Sequence, residues 1–265
     1  MSASSRNSEP PGPPHRPAKR PNKLRLDQLL VDRGLVESRE KARALILAGE
    51  VLVDGQRADK PGHSVPETAR IHLGQRMPYV SRGGFKLAAA LDHFHIDPTG
   101  LECLDVGAST GGFTDCLLQR GAARVCALDV GHGQLDWKLR NDPRVTVREG
   151  VNARHLSPAD FPRRFDLAVC DASFISATLL VPAIAPLLTP SGAMIVLVKP
   201  QFEAGKGQVG KGGIVRDPLI HQAACDRVRA AVEALGFSAG IIASPIEGAE
   251  GNREFLLYAR PIAPA

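Results

Sequence analysis

The chain has 265 residues, 43% of them hydrophobic, and a net charge of +5. That length accommodates one large α/β domain, or a medium domain beside a small one, with an ordinary soluble core. No apolar run approaches the roughly 20 residues a bilayer span needs, and the N-terminus is Pro-rich and charged where a signal peptide is apolar. A cytoplasmic protein with no membrane partner is therefore expected. The five cysteines, Cys103, Cys116, Cys126, Cys170 and Cys225, are odd in number and lack CxxC spacing. They read as reduced core thiols, and no metal is expected.

The charge is unevenly placed. Residues 1–80 hold 14 Lys+Arg against 9 Asp+Glu, whereas residues 81–265 hold 19 of each. An excess confined to the first third suits a module that docks on a polyanion. Residues 1–22 are rich in Pro, Ser and basic residues and nearly free of aliphatics, so a disordered tail is expected there. From Leu24 the pattern turns helical: Leu26, Leu29 and Leu30 share one face, and Gly34 ends the segment. Ser38 is placed to cap a second helix that buries Ala42, Leu45 and Ile46 and stops at Gly49. On that helix Arg39 and Arg43 lie four apart on another face. Val51 to Val53 then turns through Asp54 and Gly55 as a hairpin. Two short helices, a basic face and VLVDG resemble the S4 RNA-binding fold over residues 24 to about 72. The expected division is a small α+β unit at 23–75, a linker at 76–82 and a larger domain at 83–262.

From Leu101 seven apolar strands alternate with helix-length segments: LECLDVG, ARVCALDVG, VTVREG, FDLAVCDAS, AMIVLVKP, SAGIIAS and EFLLYAR. This pattern predicts a Rossmann-like α/β fold with a mostly parallel sheet covered on both faces. The short link SPIEGAEGN lets the last strand return antiparallel.

The first strand runs into DVGASTGGFT, Asp105 to Thr114, and then a helix. Glycines at such a turn let backbone amides approach a ligand at the carboxyl ends of the strands. The DxGxxxGG spacing departs from the GxGxxG dinucleotide fingerprint. Asp105 would repel a pyrophosphate and is placed to meet the ammonium of a methionine-like tail. Asp129, ending the second strand, suits ribose hydroxyls of any adenosine ligand. The stretch GKGQVGKGG nearly matches a P-loop, but Gly212 stands where Ser or Thr must hold magnesium, and no helix follows directly. It reads instead as a mobile basic loop carrying Lys206 and Lys211 over a substrate site.

Topology predicts the reactive set. Ends of adjacent parallel strands lie side by side, which brings Asp171 near Lys199. An antiparallel last strand starts with Glu254 on the same edge. The helix before the first strand, Gly84 to His93, must begin there too, with Lys86 in its first turn. The order Lys86, Asp171, Lys199, Glu254 resembles the Lys-Asp-Lys-Glu set of FtsJ/RrmJ-type RNA 2'-O-methyltransferases. Together with the S4 unit, SRGGFKL, NDPRV, CDASFIS, KPQFEAGKGQVGKGG and GNREF, it is similar to the TlyA (hemolysin A) family over residues 24–260.

That resemblance implies S-adenosylmethionine as cofactor and cytidine 2'-hydroxyls of ribosomal RNA as substrate. It also implies that Asn152 lies near the adenine and that Ser109 to Phe113 line the methionine end. The expected donor site is Asp105, Gly107, Ala108, Ser109, Thr110, Gly111, Gly112, Phe113, Asp129, Val130, Asn152 and Asp171. The expected RNA contacts are Arg25, Arg39, Arg43, Lys206 and Lys211, in a chain that acts as a monomer. Lys199 is assigned nearest the hydroxyl, oriented by Asp171 and Glu254, with Lys86 balancing charge and holding the target phosphate or ribose. Neighbouring carboxylates favour a charged ammonium, while a general base must be neutral, so the proton goes to Lys199, to Asp171 or to water. Three other readings stay open: an RNA-binding regulator that senses the methyl donor, a membrane-lytic protein, and an S4-fused pseudouridine synthase, which the doubly wound pattern disfavours.

Overall fold

The structure, a computed structural model, describes residues 22–47, 49–73, 78–205, 207–248 and 251–262. The expected N-terminal tail, apart from Asn22, lies outside the described residues, as does Lys206. The chain divides into two compact units, one ending at Met77 and the other starting at Pro78.

The first unit contains β1 (Lys23–Arg25), α1 (Leu26–Asp32), α2 (Arg39–Leu47), β2 (Val51–Val53), β3 (Gln56–Arg57), β4 (Ser64–Pro66) and β5 (Ile71–Leu73). Its core is the apolar set read from helical spacing: Leu26, Leu29, Leu30, Ala42 and Ile46 are buried, together with Val51 and Val65. Gly34 and Gly49 take positive φ (66° and 71°) just beyond the helices, as stop signals should. Ser38 Oγ accepts from Lys41 N at 3.2 Å, capping α2. Asp54 and Gly55, also at positive φ, join β2 to β3.

The second unit runs α3 (Gly83–His93), β6 (Glu102–Val106), α4 (Gly112–Gln119), β7 (Arg124–Leu128), α5 (Trp137–Arg140), β8 (Val145–Arg148), β9 (Phe165–Cys170), α6 (Val181–Ile184), β10 (Leu188–Val198), α7 (Pro200–Glu203), α8 (Pro218–Glu233), β11 (Phe237–Ala243) and β12 (Phe255–Pro261). Seven strands form one sheet in the order β11-β12-β10-β9-β6-β7-β8, and β12 alone runs against its neighbours. Alternate residues supply the two faces. Leu104, Val106, Met194 and Val196 pack towards α6 and α8, whereas Cys103, Ile195 and Leu197 pack towards α3, α4 and α5. All five cysteines are buried and free, and burial pushes the Cys170 thiol up to about 12.

This sheet is what positions the site. In register, Val106 lies beside Leu128 and Cys170, and Val198 lies opposite Phe255. The residues that follow these strand ends, Gly107, Asp129, Asp171 and Lys199, therefore emerge along one edge, and Glu254 enters β12 from that same edge.

Candidate active site

The edge holds a cleft of about 720 Å³ whose lining includes Gly107, Ser109, Asp129, Val130, Asn152 and Asp171. Gly107 is required at its turn. Its φ is +83°, and a Cβ there would stand 2.9 Å from the Asp171 carbonyl oxygen. Asp129 is fixed by two backbone donors: Ser109 N reaches Oδ2 at 2.8 Å and Gly131 N reaches Oδ1 at 2.7 Å. Each oxygen keeps acceptor capacity for a hydroxyl. Asn152 lines the cleft while its Oδ1 accepts from Arg154 N. Val130 is 72% exposed beside it.

Other expected donor contacts are placed differently. Asp105 is fully buried and does not line the cleft. Its Oδ2 accepts from Thr114 Oγ1 at 2.6 Å, while Oδ1 has no partner. Burial raises this carboxyl to about 7, against the Thr114 hydrogen bond and with a further push from Asp171. Ala108 and Phe113 are core residues. A Cβ on Gly111 would run into Leu139 and Leu135, and one on Gly112 into Ser81 Oγ and the Gly84 nitrogen. These two glycines, near Thr110, thus serve the close packing of α4 against its neighbours, and only Gly107 and Ser109 of the turn border the cleft.

The four polar residues converge as two pairs, with Lys86, Glu254 and Lys199 buried and Asp171 partly exposed. Lys86 Nζ donates to Glu254 Oε2 at 2.5 Å, with the side chains 11% and 3% exposed. Lys199 Nζ lies 2.6 Å from Asp171 Oδ1, an attraction between charges more than an aligned hydrogen bond, and donates to Ser173 Oγ at 2.8 Å. Among the described residues no hydrogen bond or ion pair joins one pair to the other. Glu254 thus pairs with Lys86 and makes no bond to Lys199, and the Lys86 ammonium is engaged by that carboxylate. Asp171 belongs to both the pair and the cleft wall.

Sequence reasoning passed over three residues here. Ser173 completes the Lys199 environment. Phe174, at φ +63°, holds its ring 92% exposed on the cleft lining. Glu203 is 3% exposed, and its carboxylate accepts from Ala177 N and Ser176 Oγ, each at 2.6 Å. It ties the segment that follows Lys199 to the cleft wall. The available signal was a carboxylate four residues after Lys199 in KPQFE.

In the first unit two of the three arginines expected to contact RNA also serve the fold. Arg25 forms two bonds to the fully buried Asp27, and Arg39 adds a third at 3.0 Å. Arg39 ties α2 to α1, and Arg25 holds Asp27 from the end of β1, while both guanidinium groups stay half-exposed. Arg43 is exposed, with no ion-pair partner among the described residues. Gly212, at φ +79°, breaks the short turn that contains Lys211.

Residues 79–260 match the FtsJ-like methyltransferase family and residues 24–71 match the S4 domain. The chain belongs to the FtsJ-like methyltransferase family. S-adenosylmethionine is its methyl donor, and the cleft, with Gly107 cleared of side chain and Asp129 braced at its wall, fits an adenosine-bearing ligand. The methyltransferase is 48% identical over 241 residues to the 16S/23S rRNA (cytidine-2'-O)-methyltransferase TlyA of Mycobacterium tuberculosis, covering 90% of each chain. It is 44% identical to Hemolysin A of Brachyspira hyodysenteriae, covering 89% of this chain and 99% of that one. A Streptococcus thermophilus protein solved as a candidate hemolysin superposes with a TM-score of 0.71 at 44% identity, covering 91% and 90% of the two chains.

Proposed function

We propose that this methyltransferase transfers a methyl group to cytidine 2'-hydroxyls of ribosomal RNA, with Lys199 and Asp171 at the reacting oxygen. One observation carries the reading: Asp171 lines the donor cleft and at the same time pairs with Lys199. A ribose hydroxyl seated on that pair lies next to the cleft. S-adenosylmethionine supplies a sulfonium methyl, an electrophile already activated. The protein's share is alignment and proton removal. Lys199, held by Asp171 and Ser173, directs a hydrogen at the hydroxyl oxygen and fixes its line of approach. Transfer would break the donor's S–CH3 bond as the O–CH3 bond forms, leaving a neutral thioether, and Asp171 is placed to take the hydroxyl proton. The Lys86–Glu254 pair braces α3 against the start of β12. Phe174 offers an exposed ring face to a base lifted out of its stack. Nucleotide and rRNA substrate are supported by the M. tuberculosis relative, whose name specifies cytidine in 16S and 23S rRNA.

The test is a purified assay. Protein, methyl donor and separated ribosomal subunits are incubated, and the digested RNA is read by mass spectrometry. The expected product is 2'-O-methylcytidine in at least one subunit. Absence of ribose methylation, with dye leakage from liposomes, would favour the lytic reading that the hemolysin name suggests. Among the described residues no helix is long and apolar enough to cross a membrane.

A further inference from the structure

The catalytic edge carries a second cavity on the far side of Glu254. It holds about 340 Å³ in the crevice between α8 and the ends of β11 and β12. Gln222, Cys225 and Arg229 of α8 line it at helical spacing, and Ile241 to Ala243 line it from β11. Because β11 is the outer strand, the crevice opens past the sheet.

Its floor is apolar and aromatic: Ile241, buried Cys225, and Phe255, whose ring centroid lies 5.7 Å from that of His221. Its mouth carries Arg229 and Arg253. Asp226 orients Arg229 at 3.0 Å and also accepts from Gln222. Arg253 has no carboxylate partner among the described residues, so the mouth keeps a positive charge. A built partition separates this cavity from the catalytic pairs. Asn252, 1% exposed, donates to Gly213 O and accepts from Val215 N, both at 2.9 Å, and Val215 O meets His221 Nε2 at 2.9 Å.

We propose that this cavity receives a nucleotide flanking the methylated one, its phosphate on Arg253 and Arg229 and its base on the Phe255 floor. Two guanidinium groups over an apolar floor match a phosphate joined to a base. Position adds the second argument. A strand whose ribose sits at Lys199 has the donor cleft on one side, and on the other it runs over Glu254 to Arg253, the next residue towards the chain start. The inference rests on the RNA-methylating reading of the site.

The test compares wild type with Arg229→Ala/Arg253→Ala and with Ala243→Trp, which fills the crevice without changing charge. For ribosomal particles, the double variant should raise KM about tenfold. It should also flatten the slope of log affinity against log salt by about 0.7, the loss of one single-strand phosphate contact. Donor affinity by calorimetry and kcat should stay at wild-type values. Ala243→Trp should raise KM and leave the salt slope alone. Both variants methylating with wild-type KM and slope would overturn the cavity's role. A wild type that transfers no methyl to ribosomal RNA would instead overturn the reading beneath it, and this inference with it.

Discussion

Each unit of the methyltransferase buries one aspartate completely, and the two are treated in opposite ways. Asp27 receives three hydrogen bonds from two arginines and a fourth from Gln28 N. The first and largest cause, the Arg25 bond, holds its carboxyl well below the usual range. Asp105 receives one hydroxyl, keeps one oxygen unpartnered and is raised to about 7. A buried charge surrounded by donors is a fastener, whereas a buried carboxyl left short of donors is held at a cost. The costly one stands at the strand end beside the donor cleft, where perturbed groups gather in functional sites.

The largest effect that sharpens this contrast is the pH dependence of stability. The folded-state value of Asp105 exceeds its ordinary 3.8, so the folded chain holds the proton longer. Its contribution is full below about pH 4 and is lost as pH rises to about 7, by about 4 kcal/mol at most. Urea unfolding of wild type and Asp105→Asn between pH 5 and 8 should show a falling limb in the wild type that the variant lacks. Equal slopes would mean that Asp105 ionises as an ordinary carboxylate.

Asp27 has the opposite sign. Its lowered value contributes stability above about pH 4, lost as pH falls. Its arginine partners are 56% and 52% exposed, so solvent screening keeps each pair weak. Asp27→Asn should therefore cost about 1–2 kcal/mol at pH 7, with the difference from wild type shrinking as pH falls below about 4. A larger loss at pH 2 than at pH 7 would contradict the ion-cluster account.

The smallest effect separates two arginines one helical turn apart. Arg43→Ala should leave the melting temperature unchanged, weaken RNA binding a few-fold and lower the salt slope by about 0.7–0.9. Arg39→Ala should lower stability as well, because it also releases Asp27. Identical behaviour of the two variants would remove the distinction.

The same contrast explains what could be read in the sequence. Alternating apolar strands fixed the sheet, and the sheet alone brought Asp171, Lys199, Glu254 and Lys86 to one edge, because strand direction is a property of the chain path. Pairing within that edge depends on side-chain reach, so the split into Lys86–Glu254 and Lys199–Asp171 was not legible. Nor was the packing role of Gly111 and Gly112, where the closeness of α3 and α5 demands glycine. Arg25 and Arg39 carried the charge expected of RNA contacts, but a buried acid on α1 was reading them first. Ser173, Phe174 and Glu203 sat inside the quoted motifs, with nothing in their spacing to set them apart.

The central claim is that the Lys199–Asp171 pair methylates a cytidine ribose of ribosomal RNA. It is tested most directly by mass spectrometry of ribosomal RNA from cells lacking the gene, complemented with wild type or with Lys199→Ala. Lys199 aligns the hydroxyl and holds Asp171, and a misplacement of about 1 Å at a reacting centre costs on the order of 10² in rate, so 2'-O-methylcytidine should be restored by wild type and not by the variant. The variant should still bind the donor with wild-type affinity. Full restoration by Lys199→Ala, or unchanged ribose methylation on loss of the gene, would contradict it.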